Sequence, residues 1–295
     1  MVASRQNQMV ASEILVQMGK SLRACSSLTL EWSLTIQSGK VLDDARFTCW
    51  VEAAGQPEAN FFQVEHLLQE VSTPPSVLDV QRAASSSSVR QGVSIALSAN
   101  GVEWRLYLHT RPPNSSKDEY HSYRWNDSGQ YVRDTYRFYY ASETFAGLEP
   151  QALAHPLLQP ALQQLITHER WQQMSGFWVR YRGDKILQVD LIYPWHPVLS
   201  EFEEQLKTVC TLLNAPTNWI NEYNSHHLRH IAFSGIDKEP VCTLYFSAPT
   251  RNEWPKSLDE LKAQVQTAAH DIHQTLENEY FAHVPPRAFH PNIDE

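Results

Sequence analysis

The chain has 295 residues, 42% hydrophobic and 19% charged, which is enough apolar content to bury a sizeable core. Its formal net charge of −9, from 24 Lys and Arg against 33 Asp and Glu, excludes a general nucleic-acid binder, because neutralising phosphates takes clustered basic side chains. No apolar run approaches the roughly 18 residues of a membrane-spanning helix, and the amphipathic start MVASRQNQMVASEILVQMGKSL lacks a signal peptide's continuous apolar stretch.

The expected protein is a single cytoplasmic domain over 1–295 with no membrane partner. Its four cysteines, Cys25, Cys49, Cys210 and Cys242, form no C-x-x-C pair and are expected as free, mostly buried thiols.

In chain order, residues 5–22 carry a helical pattern, and residues 28–52 then alternate in two runs around Ser38-Gly39. A second helix is predicted over 57–71, with Phe61, Phe62, Val64, Leu67 and Leu68 spaced for one face. The run Ser85–Ser88 reads as a connector. A second hairpin follows at 91–109 around Asn100-Gly101, among the strongest short hairpin signals. Residues 119–140 make another, turning at Asp127-Ser128-Gly129. A helical stretch at 151–173 is broken by Pro156 and Pro160. Residues 176–193 form a hairpin around Gly183-Asp184, 198–213 an amphipathic helix, 229–247 a fifth hairpin, and 257–281 a last helix. Ser257 and Glu260 spell a capping box at its start. Five hairpins give ten strands.

Alternation assigns the two faces of each strand. Leu30, Trp32, Leu34 and Ile36 oppose Glu31, Ser33 and Thr35; Phe47, Cys49 and Val51 oppose Arg46, Thr48 and Trp50; Trp104, Leu106 and Leu108 oppose Arg105, Tyr107 and His109. The helices need the apolar set. The other face then carries Glu31, Arg46, Arg105, Tyr107, Arg180, Gln188 and Tyr245. On an open sheet this face is solvated. On a closed ten-strand sheet it lines a lumen, since barrels of more than about eight strands leave a cavity. Inward arginines with tyrosines between them suit a diphosphate, the rings suit a carbocation, and Glu31 is the inward acid that can accept a proton.

The first hairpin, with Leu30-Glu31, Ile36, Ser38, Lys40, Arg46-Phe47 and Glu52, resembles that of the cyanobactin peptide prenyltransferases, which resemble other ABBA prenyltransferases. The later hairpins are similar too, in Gly92-Val93-Ser94-Ile95, Arg105 before Leu106-Tyr107-Leu108, Gly176-Phe177, Phe233-Ser234-Gly235, Pro240-Val241 and Leu244-Tyr245-Phe246. The resemblance spans about residues 28 to 247. It implies an α+β ABBA-type barrel of about ten antiparallel strands in ββα repeats, with helices outside and a ligand tunnel inside.

It also implies prenyl transfer from an allylic diphosphate, with Mg²⁺ held mainly through that diphosphate, to a side chain of a ribosomal peptide, cyclic or linear. Glu31 would then be the base. Arg46, Arg105 and Arg180 would hold diphosphate, assisted by Gln188 and Tyr245, and Tyr107 would shield the allylic cation. Asp190 stands where the family pattern leads one to expect an aromatic residue. As an extra inward acid in the acceptor region, it favours a cationic acceptor such as Arg or His. In this family a bulky side chain at the lumen end restricts the donor to five carbons. Phe233 therefore implies dimethylallyl diphosphate, and an inward Ala232 would imply geranyl diphosphate instead.

Two alternatives stay open: an ABBA enzyme acting on a small aromatic such as an indole or phenol, and a non-catalytic barrel carrying a ligand. Other motifs are weak. His226, His227 and His230 give H-H-x-x-H without the glutamate of the zinc motif. Asp43-Asp44 is not part of a D-D-x-x-D sequence, and no P-loop, G-x-G-x-x-G or G-x-S-x-G appears.

Overall fold

A computed structural model describes residues 5–25, 28–42, 46–53, 57–98, 101–110, 119–126, 129–140, 176–192, 197–235, 239–249 and 254–267. Its strands are β1 (Leu28–Gln37), β2 (Lys40–Leu42), β3 (Arg46–Glu52), β4 (Ser88–Ser98), β5 (Gly101–Thr110), β6 (Glu119–Trp125), β7 (Tyr131–Tyr140), β8 (Gly176–Arg182), β9 (Lys185–Ile192), β10 (Leu228–Ser234) and β11 (Val241–Pro249). The helices are α1 (Arg5–Leu22), α2 (Pro57–Glu70), α3 (Pro75–Ala84), α4 (Glu203–Leu212), α5 (Trp219–Tyr223) and α6 (Leu258–Thr267), with a 3₁₀ turn at Leu199–Phe202 ahead of α4.

Every strand pairs antiparallel with its neighbour, and β11 returns to β1 from Thr29 opposite Pro249 to Ile36 opposite Cys242. Ten strands thereby close into a barrel of the expected α+β, ABBA-type kind, and short β2 pairs on β1 beside the first turn. Turn chemistry sets this register. Arg182 opposite Lys185 leaves Gly183-Asp184 as a two-residue turn, and Gly183 takes the left-handed φ of +58° that such a turn demands.

Alternation separates the two faces as expected. Leu30, Trp32, Leu34, Phe47, Cys49, Leu106, Leu108 and Phe246 point outward and are at most 1% exposed. They pack with Leu15, Met18 and Leu22 of α1, Phe61 and Val64 of α2, Val209 of α4 and Leu261 of α6 in one hydrophobic cluster. Each such side chain contributes about 1.5–3 kcal/mol on burial. A one-residue slip would turn all of these outward groups into the lumen, so the cluster holds the polar face inward.

The helices predicted at 5–22, 57–71 and 198–213 are present as α1, α2 and the 3₁₀ turn with α4. Within 257–281 lies α6; the rest of that segment, and 151–173, fall outside the described residues. The sequence does not predict α3 or α5. Pro75 sits in the first turn of α3, where its missing N–H costs no helical bond. Helix α5 is five residues long, too short for periodicity to register. All four cysteines are free and buried, and burial pushes the Cys25 thiol up to about 11. No helix among the described residues is long and apolar enough to cross a membrane.

Candidate functional site

The barrel lumen has two ends of different chemistry. At the end that carries the hairpin turns lies a cavity of about 410 Å³, lined by Arg46, Arg105, Arg124, Arg180, Glu103, Gln188 and Tyr245 among others. Among the described lining residues, four guanidiniums face one carboxylate, Glu103. The strands explain the convergence: Arg105 pairs with Arg124 across β5 and β6, and Arg180 with Gln188 across β8 and β9, so each pair shares the luminal face. All five residues expected to hold diphosphate, Arg46, Arg105, Arg180, Gln188 and Tyr245, line this one chamber.

The arginines are not equally satisfied. Arg105 donates to the Tyr107 hydroxyl at 3.1 Å and lies 3.4 Å from Glu103. Burial acts against its charge, but Tyr107, Tyr136 and Glu103 outweigh that and hold its pKa raised. Arg180 stands 4.0 Å from Asp134, and its Nε makes no hydrogen bond. The Nε of Arg46 is also buried without a hydrogen-bond partner. Buried donors left unpaired cost about 1–3 kcal/mol each, and an anion in the chamber would relieve that cost. Burial also raises the pKa values of Tyr107 and Tyr245, which keeps both hydroxyls protonated as donors.

Toward the other end the lumen fills with rings. Trp50 lies 5.0 Å from Tyr107, Tyr120 stacks on Tyr136 at 4.4 Å and meets Trp178 at 4.4 Å, and Phe138 follows at 5.1 Å from Trp178. Trp50 can lie across the sheet because Gly92 is its cross-strand neighbour. A Cβ there would meet the indole at 2.6 Å. Tyr107 joins the two ends, touching Arg105 on one side and the rings on the other.

Beside this junction sit two buried carboxylates. Glu31 is 4% exposed, with Arg229 Nη1 3.4 Å from its Oε2. Burial raises its pKa, opposed by the charges of Arg229 and Arg90. Asp190 accepts a hydrogen bond from Gln188 Nε2 at 2.6 Å. Burial pushes it up to about 7 against that bond and the charge of Arg180, while nearby Glu31 pushes the same way as burial. Asp190 can therefore hold or release a proton near neutral pH.

One expectation is corrected. Phe233 does not line the lumen. It pairs with Val189 and Cys242 on the outward face, 1% exposed in the hydrophobic cluster, and Ala232 takes the inward position opposite Asp190 and Thr243. Asp190 lies near Glu31, and Glu103 adds a further acid to the lumen. The H-H-x-x-H residues separate. His226 packs on Trp32 and Phe246, and His230 stacks on Tyr245 at 4.0 Å. Among the described residues no three His, Cys, Asp or Glu side chains gather as metal ligands. The described side chains therefore offer no cage of their own for Mg²⁺.

Sequence reasoning missed Arg124, Glu103, Asp134, Tyr120, Tyr136 and Trp178. Asp134 is 2% exposed and binds Arg182 at 2.7 and 3.2 Å. In β6 and β7 both faces carry charged and aromatic groups: Tyr120, Arg124, Asp134 and Tyr136 on one, His121, Tyr123, Arg133 and Arg137 on the other. With no apolar face, alternation cannot say which side is inward. Cross-strand pairing with Arg105 and Arg180 would have sufficed.

The fold and this lumen define a closed antiparallel barrel with a cationic, ring-floored interior. No protein family matches the chain, and no curated protein matches it.

Proposed function

We propose that the barrel transfers a prenyl group from an allylic diphosphate to a side chain of a ribosomal peptide. The observation that carries this reading is the junction of an under-satisfied cationic chamber with an aromatic floor at Tyr107. An allylic diphosphate has the matching halves: a charged head for Arg46, Arg105 and Arg180, and an apolar tail for the rings. As the bond between the allylic carbon and the diphosphate oxygen breaks, the electron pair leaves with the diphosphate, whose growing charge the guanidiniums and the Tyr245 hydroxyl stabilise. The acceptor heteroatom or ring carbon bonds to the allylic carbon, and its proton passes to Glu31. Mg²⁺ would arrive on the diphosphate oxygens and supply charge neutralisation there.

Ala232 on the luminal face supports a ten-carbon donor rather than the five-carbon one that an inward Phe233 would favour. Asp190 beside Glu31 supports a basic acceptor side chain. The test is mass spectrometry of purified protein with Mg²⁺, dimethylallyl and geranyl diphosphate, and cyclic peptides differing only in one residue. Prenylated Arg or His peptide is expected, chiefly with the geranyl donor. Modification of a free indole or phenol with every peptide inert would transfer the assignment to small-aromatic chemistry.

A further inference from the structure

The cationic chamber contains a ready-made anion of its own. Among the described residues lining it, Glu103 is the one carboxylate. Its two oxygens go to different arginines, Oε1 to Arg105 Nη2 at 3.4 Å and Oε2 to Arg124 Nη1 at 3.5 Å. A charge-assisted N–H···O bond is about 2.7–2.9 Å, so both contacts are loose. Glu103 sits two residues into β5 at the chamber mouth with its side chain 35% exposed, and water can take its place readily. Elsewhere in the chamber Arg46 and Arg180 each have a buried Nε with no hydrogen-bond partner.

We infer that Glu103 is an internal competitor for the diphosphate site, displaced from Arg105 and Arg124 by the ligand and returning to both when diphosphate leaves. The inference rests on the diphosphate reading of the chamber. A diphosphate that engages Arg105 and Arg124 must break both Glu103 contacts. Glu103 thus weakens diphosphate binding, and its return lowers the cost of releasing a multiply charged product from a site with four guanidiniums. Arg124, half-buried on β6, holds the second Glu103 oxygen.

Calorimetric titration with inorganic diphosphate tests this on the wild type, Glu103→Gln, Glu103→Ala and Arg124→Ala at one ionic strength. Removing a partly exposed negative charge about 4–6 Å from the ligand should tighten diphosphate binding about tenfold in both Glu103 variants. Arg124→Ala should weaken it. The Glu103 side chain is solvent-reachable, and unchanged melting curves would show that each variant is folded. Diphosphate binding that is equal or weaker in both Glu103 variants, with the wild type binding normally, overturns the inference and leaves the diphosphate site standing. Absence of diphosphate binding in every protein removes the diphosphate reading itself.

Discussion

The two ends of the lumen are built on the same ten strands yet differ in what they leave undone. At the ring end Trp50, Tyr107, Tyr120, Tyr136, Trp178 and Phe138 touch one another and fill the space. At the turn end four arginines surround a cavity of about 410 Å³, and Glu103 is the one carboxylate among its described lining residues. The filled end is a wall; the unfilled end, with buried guanidinium nitrogens lacking hydrogen-bond partners, is where the proposal places the diphosphate. A polar group buried unsatisfied destabilises the fold, and the two ends differ in that cost.

The largest effect should come at the junction. Glu31→Gln keeps the shape of the side chain but removes the proton acceptor, and turnover should fall about a thousandfold while donor affinity changes by less than threefold. Rapid-quench kinetics with a binding titration separate the two, and an equal loss of binding would assign Glu31 a structural part. Next, Phe233→Ala should destabilise the protein by about 3–4 kcal/mol in urea melts, because it opens a cavity in the outer cluster. Its inward neighbour gives a different outcome: Ala232→Phe, at a luminal position 2% exposed, should shift donor use toward five carbons. If Phe233→Ala altered donor choice instead, the face assignment of β10 would be wrong.

Asp190 offers a pH test. Its pKa of about 7 lies above the 3.8 of an exposed aspartate, so the folded state binds its proton more tightly than the unfolded state. The stability this confers is complete below about pH 3.8 and is lost as pH rises through about 7. Asp190→Asn removes that loss, since the amide can still accept the bond from Gln188. The variant should therefore gain about 2–3 kcal/mol on wild type between pH 5 and pH 8, because wild type loses about 1.36 kcal/mol for each pH unit from 5 to about 7. Melting curves that stay parallel across that range would contradict a buried, raised Asp190. The smallest effect is Arg46→Ala, which should weaken inorganic diphosphate about ten- to thirtyfold without lowering stability, because the Arg46 Nε is unsatisfied in the free protein.

How much of this was legible in the sequence follows the same division. Strands with one apolar face declared their register. Trp104, Leu106 and Leu108 against Arg105 and Tyr107 is enough to place two site residues, and the Asn100-Gly101 and Gly183-Asp184 turns locate two hairpins. Strands polar on both faces did not, and β6 and β7 hid Arg124, Asp134, Tyr120 and Tyr136 for that reason. Phe233 failed differently. In LRHIAFS the residues on both faces of β10 are compatible with burial, and only the pairing of Ala232 with Asp190 and Thr243 decides between them. The closure of β11 on β1 is a contact across more than 200 residues, expressed in no local pattern.

The most direct measurement is a crystal structure with a non-cleavable thiolo-diphosphate analogue of geranyl diphosphate. The diphosphate should lie among Arg46, Arg105, Arg124 and Arg180, with the first carbons of the tail against Tyr107 and pointing toward Trp50. Density for the analogue outside the barrel, or a lumen unchanged at saturating analogue, would contradict the assignment of the cationic chamber.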